Sequence, residues 1–279
     1  MNTYNVSPKE LKYIRPTSWN PALSHKRPFT VSIAANKDTS VIEDTQAKET
    51  VKIYLDGSSL NSCIAAVATL YRDREVARTL HYHLRSSTEH TVHEAELIGI
   101  LLDLHLIKTG KKSCTSHVLG VDNQPAQSSL QAVEMAPGQY ITNTILETAL
   151  QIKKMRNSAN YSLRFRWTAG HVGIKGNKEV DAEAKKAAEG MTSSIEDLLP
   201  LLRKKIKTNK SSLKQQRRSR LKARWSQEWK TSPRYNKMSA IDPSFPSNNF
   251  SKLISDDCLS RVDVSCICQL RTGHIPLNA

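Results

Sequence analysis

The sequence predicts an α/β domain built on a mixed five-stranded sheet, the first three strands antiparallel, with helices on both faces. Three observations predict it. Apolar and polar residues alternate over residues 51–56, 76–84 and 161–167, the two-residue period of a half-buried strand. Longer stretches with helical spacing lie between the later strands. Short connections join the first three strands, as hairpins require, and long ones lead to the last two, as parallel crossovers require.

The first 50 residues read as a linker or peripheral extension. Pro8, Pro16, Pro21 and Pro28 interrupt them, and residues 37–49 are mostly polar and charged. Trp19, Phe29 and Val31 are the candidate anchors, with a short strand over residues 29–33 as one option. The domain is expected over residues 51–190. Val51-Lys-Ile-Tyr-Leu-Asp56 reads as a strand that breaks at Asp56-Gly57-Ser58-Ser59, a turn-forming run. Residues 63–71 and 76–84 are the second and third strands, with Arg72-Asp73 at the hairpin tip.

Residues 91–108 read as a helix. Thr91 and Glu94 have capping-box spacing, Ala95, Ile98, Leu101 and Leu102 share one stripe, and Gly110 closes it. A fourth strand over 117–121 ends at Asp122, and helical stretches follow at 124–133 and 139–156. Residues 161–167 form the fifth strand. A loop with Gly170, Gly173 and Gly176 then leads to a last helix over 178–189.

Charge bounds the function. The 279 residues carry 41 Lys+Arg against 26 Asp+Glu, a net +15, with a mean hydropathy of −0.49. Such an excess points to a polyanionic partner, nucleic acid before anionic membrane. No apolar run approaches the ~20 residues of a membrane span, and five scattered Cys make no disulfide framework. The expectation is an intracellular protein that does not enter membranes.

Much of the charge lies in residues 191–238, read as a basic helical or tether segment. Residues 203–237 hold 14 basic residues and one acid, Glu228. Trp225 and Trp229, four apart, suggest an amphipathic helix whose cations could track phosphates. Arg203-Lys-Lys205 with Arg217-Arg218 reads equally as a nuclear import signal. Residues 239–279 are loop-rich around Pro243 and Pro246, with apolar character returning from Cys258 to Leu270. Cys266, Cys268 and His274 lack the spacing and the fourth ligand of a zinc site, so the cysteines read as structural.

Four acids carry the candidate chemistry. Asp56 and Asp122 end strands that can run parallel, and such strands present their carboxyl ends at one ligand-binding edge. Glu96, one turn into its helix, can aim back toward that edge, and Asp181 is expected in the first turn of the last helix. Acids so gathered repel unless divalent cations neutralise them. Two Mg²⁺ roughly 4 Å apart could clamp a phosphodiester between attacking water and leaving oxygen.

On Ile53-Tyr-Leu-Asp-Gly-Ser58, His93-Glu-Ala-Glu-Leu97, Gly120-Val-Asp-Asn-Gln124, the run Trp167-Thr-Ala-Gly-His-Val-Gly-Ile-Lys-Gly-Asn177 and Val180-Asp-Ala-Glu-Ala184, the sequence resembles the type 1 ribonuclease H domain. It is most similar to the version near the C-terminus of non-LTR (LINE-like) retrotransposon polyproteins. The resemblance implies a ribonuclease H-like fold and metal-dependent endonucleolytic cutting of RNA in an RNA–DNA hybrid, leaving 5′-phosphate and 3′-hydroxyl ends. It implies two Mg²⁺, with Mn²⁺ able to substitute, held by Asp56, Glu96, Asp122 and Asp181. His171 would assist proton transfer or product release. Asn123, Gln124, Lys175 and Asn177 would contact nucleic acid, Asn177 also ordering the loop.

The tail Cys268-Gln-Leu-Arg-Thr-Gly-His274 is similar to the stretch preceding a zinc knuckle in those polyproteins, so the chain is expected to be a polyprotein portion. Other nucleic acid could bind through the basic segment. Two competing readings remain: a decayed retroelement fragment that binds nucleic acid without cutting it, and a related exonuclease or integrase. The exonucleases typically carry Asp-x-Glu on the first strand, which Asp56-Gly57-Ser58 lacks.

Overall fold

The computed structural model describes residues 27–47, 49–110, 114–131, 138–156, 160–170, 172–241, 252, 255 and 258–272. By internal contacts the chain divides into two compact units, 1–214 and 215–279.

In the first unit the order is β1 (Thr30–Ser32), α1 (Lys37–Gln46), β2 (Val51–Leu60), β3 (Cys63–Arg72), β4 (Glu75–Ser86), α2 (Val92–Thr109), β5 (Ser116–Val121), α3 (Gln124–Ser129), α4 (Gln139–Arg156), β6 (Ser162–Trp167) and α5 (Lys175–Ala188). The sheet runs β1-β6-β5-β2-β3-β4. β2, β3 and β4 pair antiparallel, while β5 joins β2 and β6, and β1 joins β6, all in parallel. The mixed α/β architecture expected from the sequence is present, with six strands rather than five. The sixth is β1, whose neighbour Phe29 stacks edge-on against Phe165 at 4.7 Å between centroids. One buried ring anchors what the prolines made look like a linker.

The strand alternation sorts side chains onto two faces. Val51, Ile53 and Leu55 of β2 share a core with α2 and α4, while Tyr54, Val67 and Tyr71 pack against Val180 and Ala184 of α5. Both hairpins turn on residue pairs with positive φ: Asn61 and Ser62 between β2 and β3, Asp73 and Arg74 between β3 and β4. Two left-handed residues match the twist of the flanking strands.

Two boundary differences bear on the acids, while most others shift by one or two residues and α3 stops at Ser129, short of the expected 133. β2 does not break at Asp56 but runs on to Leu60, because Gly57–Leu60 pair with Cys63–Ala66 across the hairpin. α5 begins at Lys175, three residues early, so Asp181 sits in its second turn. The polar run 37–49 contains α1, capped by Asn36, whose side chain accepts from the amide of Thr39 at 2.8 Å. Beyond residue 190, Leu198, Leu199, Leu202 and Ile206 join the core. The amide of Ser193 donates to the carbonyl of His81 at 3.0 Å, against β4.

One core position conflicts with its surroundings. Asp103 of α2 is fully enclosed, and neither carboxyl oxygen has a hydrogen-bond partner. Burial pushes its pKa well above the ordinary carboxylate value. In the unfolded chain it ionises near pH ~3.9. The folded state therefore binds more protons above that pH, and stability declines until the folded pKa is passed. Asp103→Leu should raise stability at neutral pH by about 2 kcal/mol, the cost of an unsatisfied buried polar group. It should also flatten this decline, as read by urea unfolding at several pH values. An unchanged profile would mean that Asp103 finds a partner in solution.

In the remainder of the described chain, α6 (Lys210–Lys230), α7 (Tyr235–Ile241) and α8 (Arg261–Thr272) are helical. Among the described residues, no helix is long and apolar enough to cross a membrane.

Candidate active site

β2 and β5 lie parallel only over Lys52–Tyr54 against Val118–Gly120. Asp56 and Asp122 each follow two residues beyond the last pair, where the strands part. The edge of the parallel pair therefore carries both acids even though Asp56 is mid-strand. The third acid arrives by close helix packing. Gly57 faces the start of α2 so tightly that a Cβ there would lie 2.8 Å from the amide nitrogen of Glu96 and 3.0 Å from its Cδ. Only glycine permits this approach. The Thr91 and Glu94 capping box fixes where α2 begins, and thus which residue meets β2.

The outcome is a cluster in which Asp56, Glu96 and Asp122 each offer a carboxylate oxygen within 4.8 Å of the others. Glu96 is 4% exposed. Its carboxyl takes hydrogen bonds from the Gly57 backbone and the Asn123 side chain, while Oε2 has no partner. Burial, then the charges of Asp122 and Asp56, hold its pKa well above the ordinary carboxylate range. A buried orphan oxygen facing two like charges is a site that requires either a proton or a cation. Hard divalent ions favour such all-oxygen donor sets, so the residues fit the metals that the sequence implied.

A family model described as RNase H matches residues 48–189, half of the chain and all three acids. The chain belongs to the RNase H family. Among solved structures, RNase H1 from the halophilic archaeon Halobacterium salinarum NRC-1 is 17% identical; the match covers 50% of this chain and 98% of that one, at a TM-score of 0.37. No curated protein matches the sequence.

The other anticipated residues differ in their relation to the RNase H cluster. Asp181 lines a cavity of about 570 Å³ with Asp56, Asp122, Asn177 and Lys178, but it stands outside the tight triad. Its Oδ2 accepts from Lys185 Nζ at 2.8 Å. The expected quartet is thus a triad with a fourth acid held by a lysine one turn along its own helix. That i,i+4 spacing is readable in the sequence, and the sequence reading passed over it. Asn177 donates from Nδ2 to the carbonyl of Ala169 at 3.3 Å and accepts from Thr168 Oγ1 at 3.4 Å, tying α5 to the strand end.

Asn123 caps α3, its side chain accepting from the amide of Ala126 at 2.9 Å, and it also reaches Glu96. Gln124 is exposed on the first turn of α3. Lys175 is exposed, with Nζ 3.7 Å from Glu179. His171 and His274 lie outside the described residues. Gly170, expected only as part of a glycine loop, backs onto Asp122: a Cβ there would lie 3.0 Å from Oδ2.

Proposed function

We propose that this RNase H chain is an endonuclease of retroelement origin that hydrolyses the RNA strand of RNA–DNA hybrids, leaving 5′-phosphate and 3′-hydroxyl ends. The observation that carries this reading is the carboxylate triad with its unpartnered Glu96 oxygen. Asp56, Glu96 and Asp122 would hold divalent cations, two Mg²⁺ or Mn²⁺ in their place, with Asp181 completing the site once its carboxylate leaves Lys185. Bound there, the cations would supply the positive charge that activates water and stabilises the leaving oxygen.

The chain's own groups supply the rest. Gly57 and the Asn123 side chain orient Glu96. Asn177 holds the Thr168 hydroxyl and the Ala169 carbonyl, and His171 would move a proton. Asn123, Gln124, Lys175 and Asn177 would offer donors suited to phosphates and 2′-hydroxyls, the latter distinguishing RNA from DNA.

α6 supports attraction to nucleic acid. Lys210 and Lys214, Lys214 and Arg218, Arg218 and Lys222, and Arg220 and Arg224 are like charges four residues apart on one helix, a spacing that destabilises it. Glu228 pairs with Arg224 at 2.8 Å. A polyanion along α6 would relieve the repulsion.

The test is incubation of the full chain with labelled RNA–DNA hybrid in Mg²⁺, Mn²⁺ or EDTA. The expected result is metal-dependent cutting of the RNA strand alone. Hybrid affinity should fall with salt, and replacing Arg217 and Arg218 by Gln should lower that slope by about 1 for each lost phosphate contact. Binding without cleavage in any metal would identify a decayed fragment instead. A salt slope unmoved by the two substitutions would remove α6 from the interface.

A further inference from the structure

α1 precedes the residues matched by the family model, yet its side chains grip the segment that flanks Asp122. Ser40, 1% exposed, donates from Oγ to the carbonyl of Trp167 at 3.0 Å and accepts from the amide of Ala169 at 2.9 Å. One turn on, Asp44 accepts from Arg166 Nη2 at 2.7 Å and from Tyr54 Oη at 2.8 Å. Lys52 Nζ lies 3.6 Å from the Asp44 carboxylate and donates to the Asp44 carbonyl at 2.6 Å. The grip is polar and directional. Of the apolar residues of α1, Val41 leans on the α5 side of the core, and Ile42 is 53% exposed.

What α1 holds leads straight to the acids. Trp167 Nε1 donates to the carbonyl of Asp122 at 2.9 Å, and the amide of Thr168 donates to the carbonyl of Val121 at 3.0 Å. Gly170, next in line, leaves room for the Asp122 carboxylate, since a Cβ there would lie 3.0 Å from Oδ2. Packing alone would tolerate small slips of α1. A single hydroxyl that both donates to residue 167 and accepts from residue 169 does not, because both bonds fail together if the helix shifts.

We propose that Ser40 and Asp44 are positioning residues of the active site, holding the Arg166 side chain and the 167–169 backbone beside Asp122 from a helix outside the family-matched residues. The proposal rests on the reading of Asp56, Glu96 and Asp122 as cation ligands. Groups that orient ligands typically matter by about 10–100-fold in metal affinity or activity.

The experiment compares wild type, Ser40→Ala and a control, Ile42→Gly, which weakens the exposed face of α1 without touching the grip. Mn²⁺ binding is titrated by electron paramagnetic resonance without hybrid, and kcat and KM are measured with it. Amide exchange at Ala169 is followed by NMR. Ser40→Ala should bind Mn²⁺ about tenfold more weakly and lose about tenfold in kcat, with KM changed less than about twofold. Its Ala169 amide should exchange faster, while Ile42→Gly leaves Mn²⁺ affinity unaltered.

If Ser40→Ala does not fold, Ser40→Cys, with weaker hydrogen bonds at similar volume, takes its place with the same expectations. Wild-type Mn²⁺ binding that Ser40→Ala leaves intact, despite faster Ala169 exchange, overturns the positioning role alone. Wild-type protein that binds no Mn²⁺ overturns the reading of the acids and this proposal with it.

Discussion

Asp56→Asn and Asp122→Asn are expected to lose cleavage of the RNA strand by on the order of 10³-fold or more while becoming more resistant to heat in EDTA. Cations at such a site stabilise transition-state charge by several kcal/mol, and each ~1.4 kcal/mol is tenfold in rate. Stability should move the other way because both aspartates push against buried Glu96, whose pKa they help to raise. The sign follows from proton counting. Glu96 holds its proton to higher pH in the folded chain than in the unfolded one. Metal-free stability therefore falls as pH rises above the ordinary carboxylate range, until the folded pKa is passed. Neutralising either neighbour brings that folded pKa down and makes the fall smaller. Opposite changes in activity and melting temperature separate loss of a ligand from loss of the fold. Near-normal cleavage by either variant would remove that residue from the site.

Asp44→Ala is expected to destabilise the protein by about 3–5 kcal/mol, the usual cost of breaking one partner out of a buried ion pair. It should lower the melting temperature by roughly 10 °C. Arg166, 5% exposed, would keep its charge without the carboxylate that now accepts from it. Tyr54 Oη would lose its acceptor as well. Asp44→Ala combined with Arg166→Leu should recover much of the loss, since no buried guanidinium is then stranded and Lys52 is part-exposed. Denaturant unfolding of the two variants measures both effects. A cost below about 1 kcal/mol for Asp44→Ala would mean that the pair is solvated as an exposed one is.

Where local chemistry determines structure, the elements could be read from the chain. α4 begins and ends at the expected residues, and the Thr91 cap and its Glu94 partner do what their spacing indicated. Asp56, Glu96 and Asp122, which the fold gathers, were legible because each lies in a short motif, although Asp56 stands mid-strand rather than at a strand end. Legibility failed where distant partners decide the outcome. Gly57-Ser58-Ser59 reads as a turn until Cys63–Ala66 supply the opposing ladder. α1 reads as solvated linker because its anchors are Ser40 and Asp44, whose partners lie 127 and 122 positions away. No apolar period announces a helix attached in this way. Asp103 shows the reverse case: within α2 nothing local signals that an acid will be sealed in the core.

The ends of the sheet carry one more consequence. An outermost strand with free amides and carbonyls invites another chain to add itself. Here the β6 side finishes in the three-residue β1. On the far side, the backbone amides of His81 and His83 are taken by the hydroxyls of Ser193 and Thr192 at 2.9 and 3.0 Å. A crowded solution of this protein thus meets a very short strand at one margin and, around His81 and His83, amides already taken at the other, so cross-molecular strand addition is disfavoured at those places.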